Sequence, residues 1–185
     1  IDVIAKLDGI STDEVFKRLK GNTQSQKRPK IYPTIGDLKS AMPHPVEDVY
    51  QYTHPNTGKP EMLVLRLKTP DGKTFRQAMP VNNGFIQQAP GKPGPIYNRA
   101  RIQKADTVVV VEGEKKVHTL HEYGIVGTTS PAGAGKAEYA DLTPLAGKNV
   151  ILWPDNDEPG RAHMQQVEQI LQKLEPAPRI AILEP

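Results

Sequence analysis

The chain has 185 residues, a formal net charge of +3, 18 prolines and no cysteine. That length allows one ordinary domain or two small ones with a real core. With 37% hydrophobic and 24% charged residues, the composition excludes both a disordered tail and a membrane-embedded chain; the lack of cysteine excludes disulfide frameworks, cysteine–zinc sites and thiol catalysis.

Charge is unevenly spread. Residues 1–104 carry 17 Lys/Arg against 9 Asp/Glu, and residues 105–185 carry 7 against 12. A basic half attracts phosphate backbones, and acidic clusters hold divalent cations. The longest uncharged apolar runs are a few residues, such as Thr107–Val111, so no membrane-spanning helix is expected. The opening residues lack the basic start and small-residue cleavage site of a signal peptide, so the expected location is cytoplasmic.

In chain order, residues 1–22 read as a helical tail, with Ser11 three residues before Glu14 as in a capping box. Residues 23–44 read as a linker that begins in a polar, basic stretch. Residues 45–104 form the basic subdomain. Its turn clusters at His54–Gly58 and Pro70–Lys73 divide short strands, which predicts an antiparallel meander to about residue 88 followed by a Pro/Gly-rich loop over 89–98. Residues 105–185 change character. Thr107–Val111 is a β-branched run of the kind buried on both faces of a parallel sheet. A helix over 114–123 follows, then a strand over 125–129, a Gly-rich loop over 131–136, a strand over 149–153, a helix over 160–174 and a strand over 179–183. That order predicts an α/β fold: a four-stranded parallel sheet flanked by helices, preceded by the small, mainly antiparallel β subdomain.

Ligands of open α/β sheets gather beyond the carboxyl ends of the strands. Glu112-Gly113-Glu114 follows the first strand there, and Asp155-Asn156-Asp157-Glu158 follows the third. So many carboxylates on one rim repel one another, and a hard divalent cation with oxygen ligands, Mg²⁺ first, compensates them. Rival motifs fail on their residues. A P-loop would need a glycine where Ser130 stands and Ser or Thr where Ala137 stands. An EF-hand loop from Asp155 would put Pro159 at a ligand position and Gln166 in place of the bidentate Glu. His118 and His121 share a helix face without a third ligand and read as surface or packing residues.

Val110-Val111-Glu112-Gly113-Glu114-Lys115 and Asp155-Asn156-Asp157-Glu158-Pro159-Gly160-Arg161, with the glycine segment Thr128–Lys136 between them, resemble the signature segments of the TOPRIM domain. The likeness is nearest to DnaG-type primases of phages and mobile elements. Gly72–Gln77 and Pro95–Asn98 are similar to the subdomain that precedes TOPRIM in those proteins. Two departures stand out: Lys115 and Lys116 occupy positions where such primases place an acid, and no zinc module is present. The resemblance implies a primase catalytic core, a nucleotidyltransferase that makes short RNA primers on a single-stranded DNA template from nucleoside triphosphates. It implies Glu112, Asp155 and Asp157 as catalytic and metal-binding residues, with Mg²⁺ or Mn²⁺ as cofactor. Lys73, Arg76, Lys136 and Arg161 become the expected nucleotide or DNA contacts, and a replicative helicase or ATPase the expected partner, in cis or in trans. A TOPRIM-type nuclease, or a non-catalytic helicase-associated DNA-binding module, would use the same fold. Tyr50, Tyr52, Phe75, Phe85 and Tyr97 are the candidate base-stacking residues, most of them expected in the core of the meander.

Overall fold

In the second half, alternation along the strands decides which layer each side chain joins. Strand β7 (Thr107–Val110) pairs in parallel with β8 (Gly127–Thr128) and β10 (Asn149–Leu152), and β10 pairs in parallel with β11 (Arg179–Ile182), giving the order β11-β10-β7-β8. Val108, Val110, Val150 and Leu152 face one way, onto Met164, Val167 and Leu171 of helix α4 (Glu158–Leu171). Val109, Val111 and Ile151 face the other way, onto Val117 and Leu120 of helix α3 (Glu114–Glu122). The four-stranded parallel sheet with covering helices is therefore as the strand pattern requires.

The computed structural model describes Asp13, residues 29–131 and residues 135–184. Apart from Asp13, the expected amino-terminal helices lie outside the described residues, as do the basic stretch 20–28 and Ala132–Ala134 of the glycine segment.

The first half is a five-stranded antiparallel sheet that starts with β1 (Ile31–Tyr32) at one edge and runs in the order β1-β5-β4-β3-β2. Its long members are β2 (Val46–Thr53), β3 (Pro60–Thr69) and β4 (Gly72–Val81), with β5 (Gly84–Gln87) at one side. The sheet is two-faced. Leu63, Leu65, Leu67 and Ala78 pack under Leu38 and Tyr32, while Tyr50, Tyr52, Met62 and Val64 pack on the opposite face against Tyr97 and Met79.

Two readings need correction. The segment read as linker contains β1 (Ile31–Tyr32), which pairs with β5, and helix α1 (Ile35–Ser40), whose Leu38 is fully buried. Thr34 and Asp37 close a capping box there, with Asp37 N–H donating to Thr34 Oγ1 at 3.1 Å and Thr34 N–H to Asp37 Oδ2 at 3.1 Å. The loop read over 89–98 contains β6 (Gly94–Pro95), which pairs in parallel with β9 (Ala140–Asp141). A short helix α2 (Arg99–Ile102) then leads into β7.

Candidate active site

Both acidic segments leave the sheet at its carboxyl end, but by different local routes. After β7 the chain passes Val111 and Glu112 and turns at Gly113, whose φ of 86° lies in the region that favours glycine. The Gly113 N–H donates to Thr129 Oγ1 at 2.9 Å, tying this turn to the residue that follows β8. Glycine after Glu112 is thus a backbone requirement of the strand-to-helix turn. After β10 the chain runs through Trp153, Pro154 and Asp155 to Asp157, the N-cap of α4. Asp157 Oδ1 accepts the Gly160 N–H at 2.7 Å, and proline stands within the first helical turn.

Gly160 is where the two segments meet. A Cβ placed on it would lie 2.5 Å from Glu112 Oε1, 2.9 Å from Asp157 Oδ1 and 2.9 Å from the Asp155 carbonyl oxygen. The carboxylates of Glu112 and Asp157 therefore flank one point above the first turn of α4. The Asp155 N–H donates to Glu112 Oε1 at 3.5 Å. Glu112 is partly buried, and that burial is the main cause holding its carboxyl above the usual carboxylate range; the ammonium of Lys116 opposes the shift and the charge of Asp157 adds to it.

Asp155 points elsewhere. Its Oδ1 takes the ammonium of Lys116, from the first turns of α3, in a direct ion pair. Among the described residues no three His, Cys, Asp or Glu side chains stand close enough together to hold a metal ion jointly. The three acids come to one end of the sheet as two facing carboxylates and a third that is already neutralised. A pair of hard oxygen donors suits Mg²⁺, which keeps several waters and takes one or two carboxylates together with substrate phosphates. The donor set therefore fits a divalent cation held by Glu112 and Asp157.

The basic residues are more scattered than the sequence suggests. Lys73 and Arg76 are both exposed on β4, but the pleat puts Lys73 on the face of Gln77 and Arg76 on the face of Ala78. Arg76 Nη1 donates to the Phe75 carbonyl at 2.9 Å. Gln77, which the sequence did not single out, donates from Nε2 to the Pro131 carbonyl at 2.8 Å, so β4 touches the start of the glycine segment. Lys136 is exposed at the end of that segment. Arg161 lies on the first turn of α4 near Asn156 Oδ1 and Glu158 Oε2, at 3.4 and 3.5 Å.

The sequence pattern counts Glu114 among the rim carboxylates, and the structure corrects this. Glu114 is buried and accepts the Tyr52 hydroxyl at 2.7 Å. Burial raises its carboxyl above the ordinary value, with the Tyr52 hydrogen bond working the other way. Tyr97, packed against Tyr50 and Tyr52, reaches His118 Nε2 through its hydroxyl at 2.8 Å. Four of the five candidate stacking residues are thus committed to packing: Tyr50, Tyr52 and Tyr97 hold the first sheet to α3, and Phe85 joins the other face. Phe75 alone is an exposed ring, at 43%.

No family model matches the chain. A stretch of 82 residues, 44% of this chain, is 34% identical to the DNA primase DnaG of Aeropyrum pernix, and covers 18% of that protein. Among solved structures, the primase fragment of the bacteriophage T7 primase-helicase protein is 19% identical, with a TM-score of 0.46 over 73% of this chain and 52% of that one. A DNA primase domain from Pseudomonas aeruginosa is 20% identical, with a TM-score of 0.44 over 72% of this chain and 47% of that one. A DnaG primase catalytic domain bound to ssDNA is 20% identical, with a TM-score of 0.43 over 66% and 43%. The chain thus spans under a fifth of the curated relative's length and about half of these structures. In sequence it resembles a DnaG-type primase.

Proposed function

We propose that this chain is part of a DNA primase catalytic core that synthesises short RNA primers on single-stranded DNA, with the carboxylates about Gly160 as its reaction centre. The observation that carries this reading is the approach of Glu112 and Asp157 to one point at the carboxyl end of β7 and β10, with Asp155 beside them. Phosphoryl transfer needs charge neutralisation and in-line positioning more than it needs covalent chemistry.

In this reading Glu112 and Asp157 hold the divalent cation, Mg²⁺ or Mn²⁺. When bound, the cation supplies positive charge to the triphosphate oxygens. Alternatively, Glu112 leaves the cation to the aspartates and accepts the proton of an attacking 3′-hydroxyl. Lys116 holds Asp155 until a phosphate competes for its ammonium. Arg161 and Lys136 add positive charge along the same rim, and Lys73 and Arg76 draw the template or triphosphate to β4. A helicase or ATPase, in cis or in trans, supplies the single-stranded template.

The test is direct. The chain is incubated with single-stranded DNA, labelled nucleoside triphosphates and Mg²⁺ or Mn²⁺, alongside Glu112→Gln, Asp155→Asn and Asp157→Asn. Labelled oligonucleotides that depend on template and are lost in Glu112→Gln and Asp157→Asn support the reading. Shortening of the DNA in their place assigns the site to a nuclease. Neither product, with DNA still bound, leaves a non-catalytic binding module.

A further inference from the structure

A cavity of about 250 Å³ opens beside Asp155, on the α3 face of the parallel sheet. Val111 and Leu120 floor it, Trp153 and Pro154 form a wall, and Lys116 and Asp155 stand at its rim. The alternation of β10 explains the wall: Trp153 follows Ile151 on the face that α3 covers, and α3 leaves it 42% exposed. Trp153 is the only tryptophan of the chain. A partly exposed indole beside an aliphatic floor offers an aromatic surface on which a flat ring can stack.

We infer that this cavity binds the base of a nucleotide, stacked on Trp153, with the triphosphate directed past Lys116 toward the Glu112–Asp157 pair. The inference rests on the proposed function of the carboxylate site and adds to it the subsite for the base. Three features select this occupant. The volume is below the roughly 300–1,000 Å³ of sites that enclose whole drug-sized ligands, so it suits a ring system and part of its sugar. Four of the seven lining residues, Val111, Leu120, Trp153 and Pro154, are apolar, and Thr119 adds one hydroxyl; an aromatic wall on such a floor suits the π-face of a base and gives little sequence preference. The rim carries one cation, and the Lys116 side chain is 48% exposed, free enough to turn from Asp155 to a phosphate. A peptide or lipid chain would match the apolar floor but has no use for the carboxylate pair beyond the rim.

The single tryptophan makes the pocket its own reporter. Intrinsic fluorescence of the full chain is titrated with Mg²⁺–ATP, with Mg²⁺–triphosphate and with a single-stranded oligonucleotide. Saturable quenching by ATP, with no quenching by inorganic triphosphate, is the expected result. Equilibrium dialysis of labelled ATP against Trp153→Leu and Trp153→Phe gives the second measurement. Loss of the stacking face in Trp153→Leu should weaken ATP about tenfold, with Trp153→Phe between it and wild type. Equal quenching by triphosphate and ATP, quenching by the oligonucleotide alone, or unchanged ATP affinity in Trp153→Leu would each overturn the inference. Quenching by ATP in a chain that makes no primers supports the pocket and ends the primase reading. Template-dependent primers without quenching support the primase reading and end the pocket.

Discussion

Gly160→Ala is the sharpest probe of the carboxylate site, because one methyl group meets all three of its parts. Alanine in place of glycine inside a helix should stabilise by about 1 kcal/mol on propensity alone. Here the new Cβ would stand 2.5 Å from Glu112 Oε1, 2.9 Å from Asp157 Oδ1 and 2.9 Å from the Asp155 carbonyl oxygen. The carbonyl is backbone and gives little. Asp157 Oδ1 holds the Gly160 N–H as the cap of α4, so moving it weakens a cap of about 0.5–2 kcal/mol. Glu112 is the most mobile of the three and must swing away. Overpacking strain of about 1–3 kcal/mol together with the weakened cap outweighs the propensity gain. The expected outcome is a Tm lower by several degrees and an Mn²⁺ affinity at least about tenfold weaker, measured by calorimetry and by the electron paramagnetic resonance of free Mn²⁺. A Gly160→Ala chain with a raised Tm and undiminished Mn²⁺ binding would refute the close approach, and with it the case for Glu112 and Asp157 as joint ligands.

Charge reversal of Lys73 and Arg76 together should weaken single-stranded DNA binding and make its salt dependence shallower by about 0.7 in log–log slope per lost phosphate contact; an unchanged slope would remove β4 from the interface. Tyr52→Phe should cost about 1–3 kcal/mol in denaturant unfolding, because it strands the buried Glu114 carboxylate without its hydroxyl donor. The Glu114 carboxyl is raised in the folded chain, so its contribution is full below the ordinary carboxylate range and is lost as pH rises through the folded value. Glu114→Gln should remove that loss, seen as a flatter stability profile as pH rises above the ordinary Glu value of about 4.3. His163 has the opposite sign: burial lowers its pKa, so the unfolded chain takes the proton first and stability falls as pH drops below about 6.5, a slope that His163→Gln should flatten.

The parallel sheet was legible in the sequence because its strands are β-branched runs and its helices carry apolar stripes. Val108 and Val110 face α4 while Val109 and Val111 face α3, as a strand covered on both sides requires. The elements that escaped are those with almost no pattern. Helix α1 has six residues and one fully buried side chain, Leu38, and β6 is a Gly-Pro pair whose partner Ala140–Asp141 is far along the chain. Two-residue strands are held by tertiary pairing, and composition does not show it. The site divides in the same way. Glu112-Gly113 and Asp155–Asp157 could be read because strand ends and a glycine turn are local features. The Lys116–Asp155 pair could not, because it joins the first turns of α3 to the loop after β10 across 39 positions. The basic residues were grouped by nearness in sequence, and the pleat of β4 separates Lys73 from Arg76.

Glu112 and Glu114 show what the antiparallel sheet contributes to the other half. They are two residues apart, on either side of the Gly113 turn, and have different surroundings. Glu112 is partly open and faces Asp157 over α4; Glu114 is buried and tied to Tyr52 of β2. A turn with a left-handed glycine at its centre has no side chain of its own to fix it. Its position is set from outside, by Thr129 Oγ1 on the Gly113 N–H and by Tyr52 on Glu114. Tyr97 and His118 add a second tie between the tyrosine cluster and α3. A carboxylate that is to meet Asp157 over a single glycine tolerates little displacement, since misplacement by about 1 Å can cost on the order of a hundredfold in rate. The tyrosine face of the first sheet therefore acts as the abutment for the Glu112 turn. Tyr52→Phe should lower Mn²⁺ affinity as well as stability, although Tyr52 touches neither Glu112 nor Asp157. The readout that separates positioning from mere stability is Mn²⁺ binding well below the unfolding transition, where the variant is fully folded. If affinity there equals that of wild type, the first sheet stabilises the chain without aiming its acids.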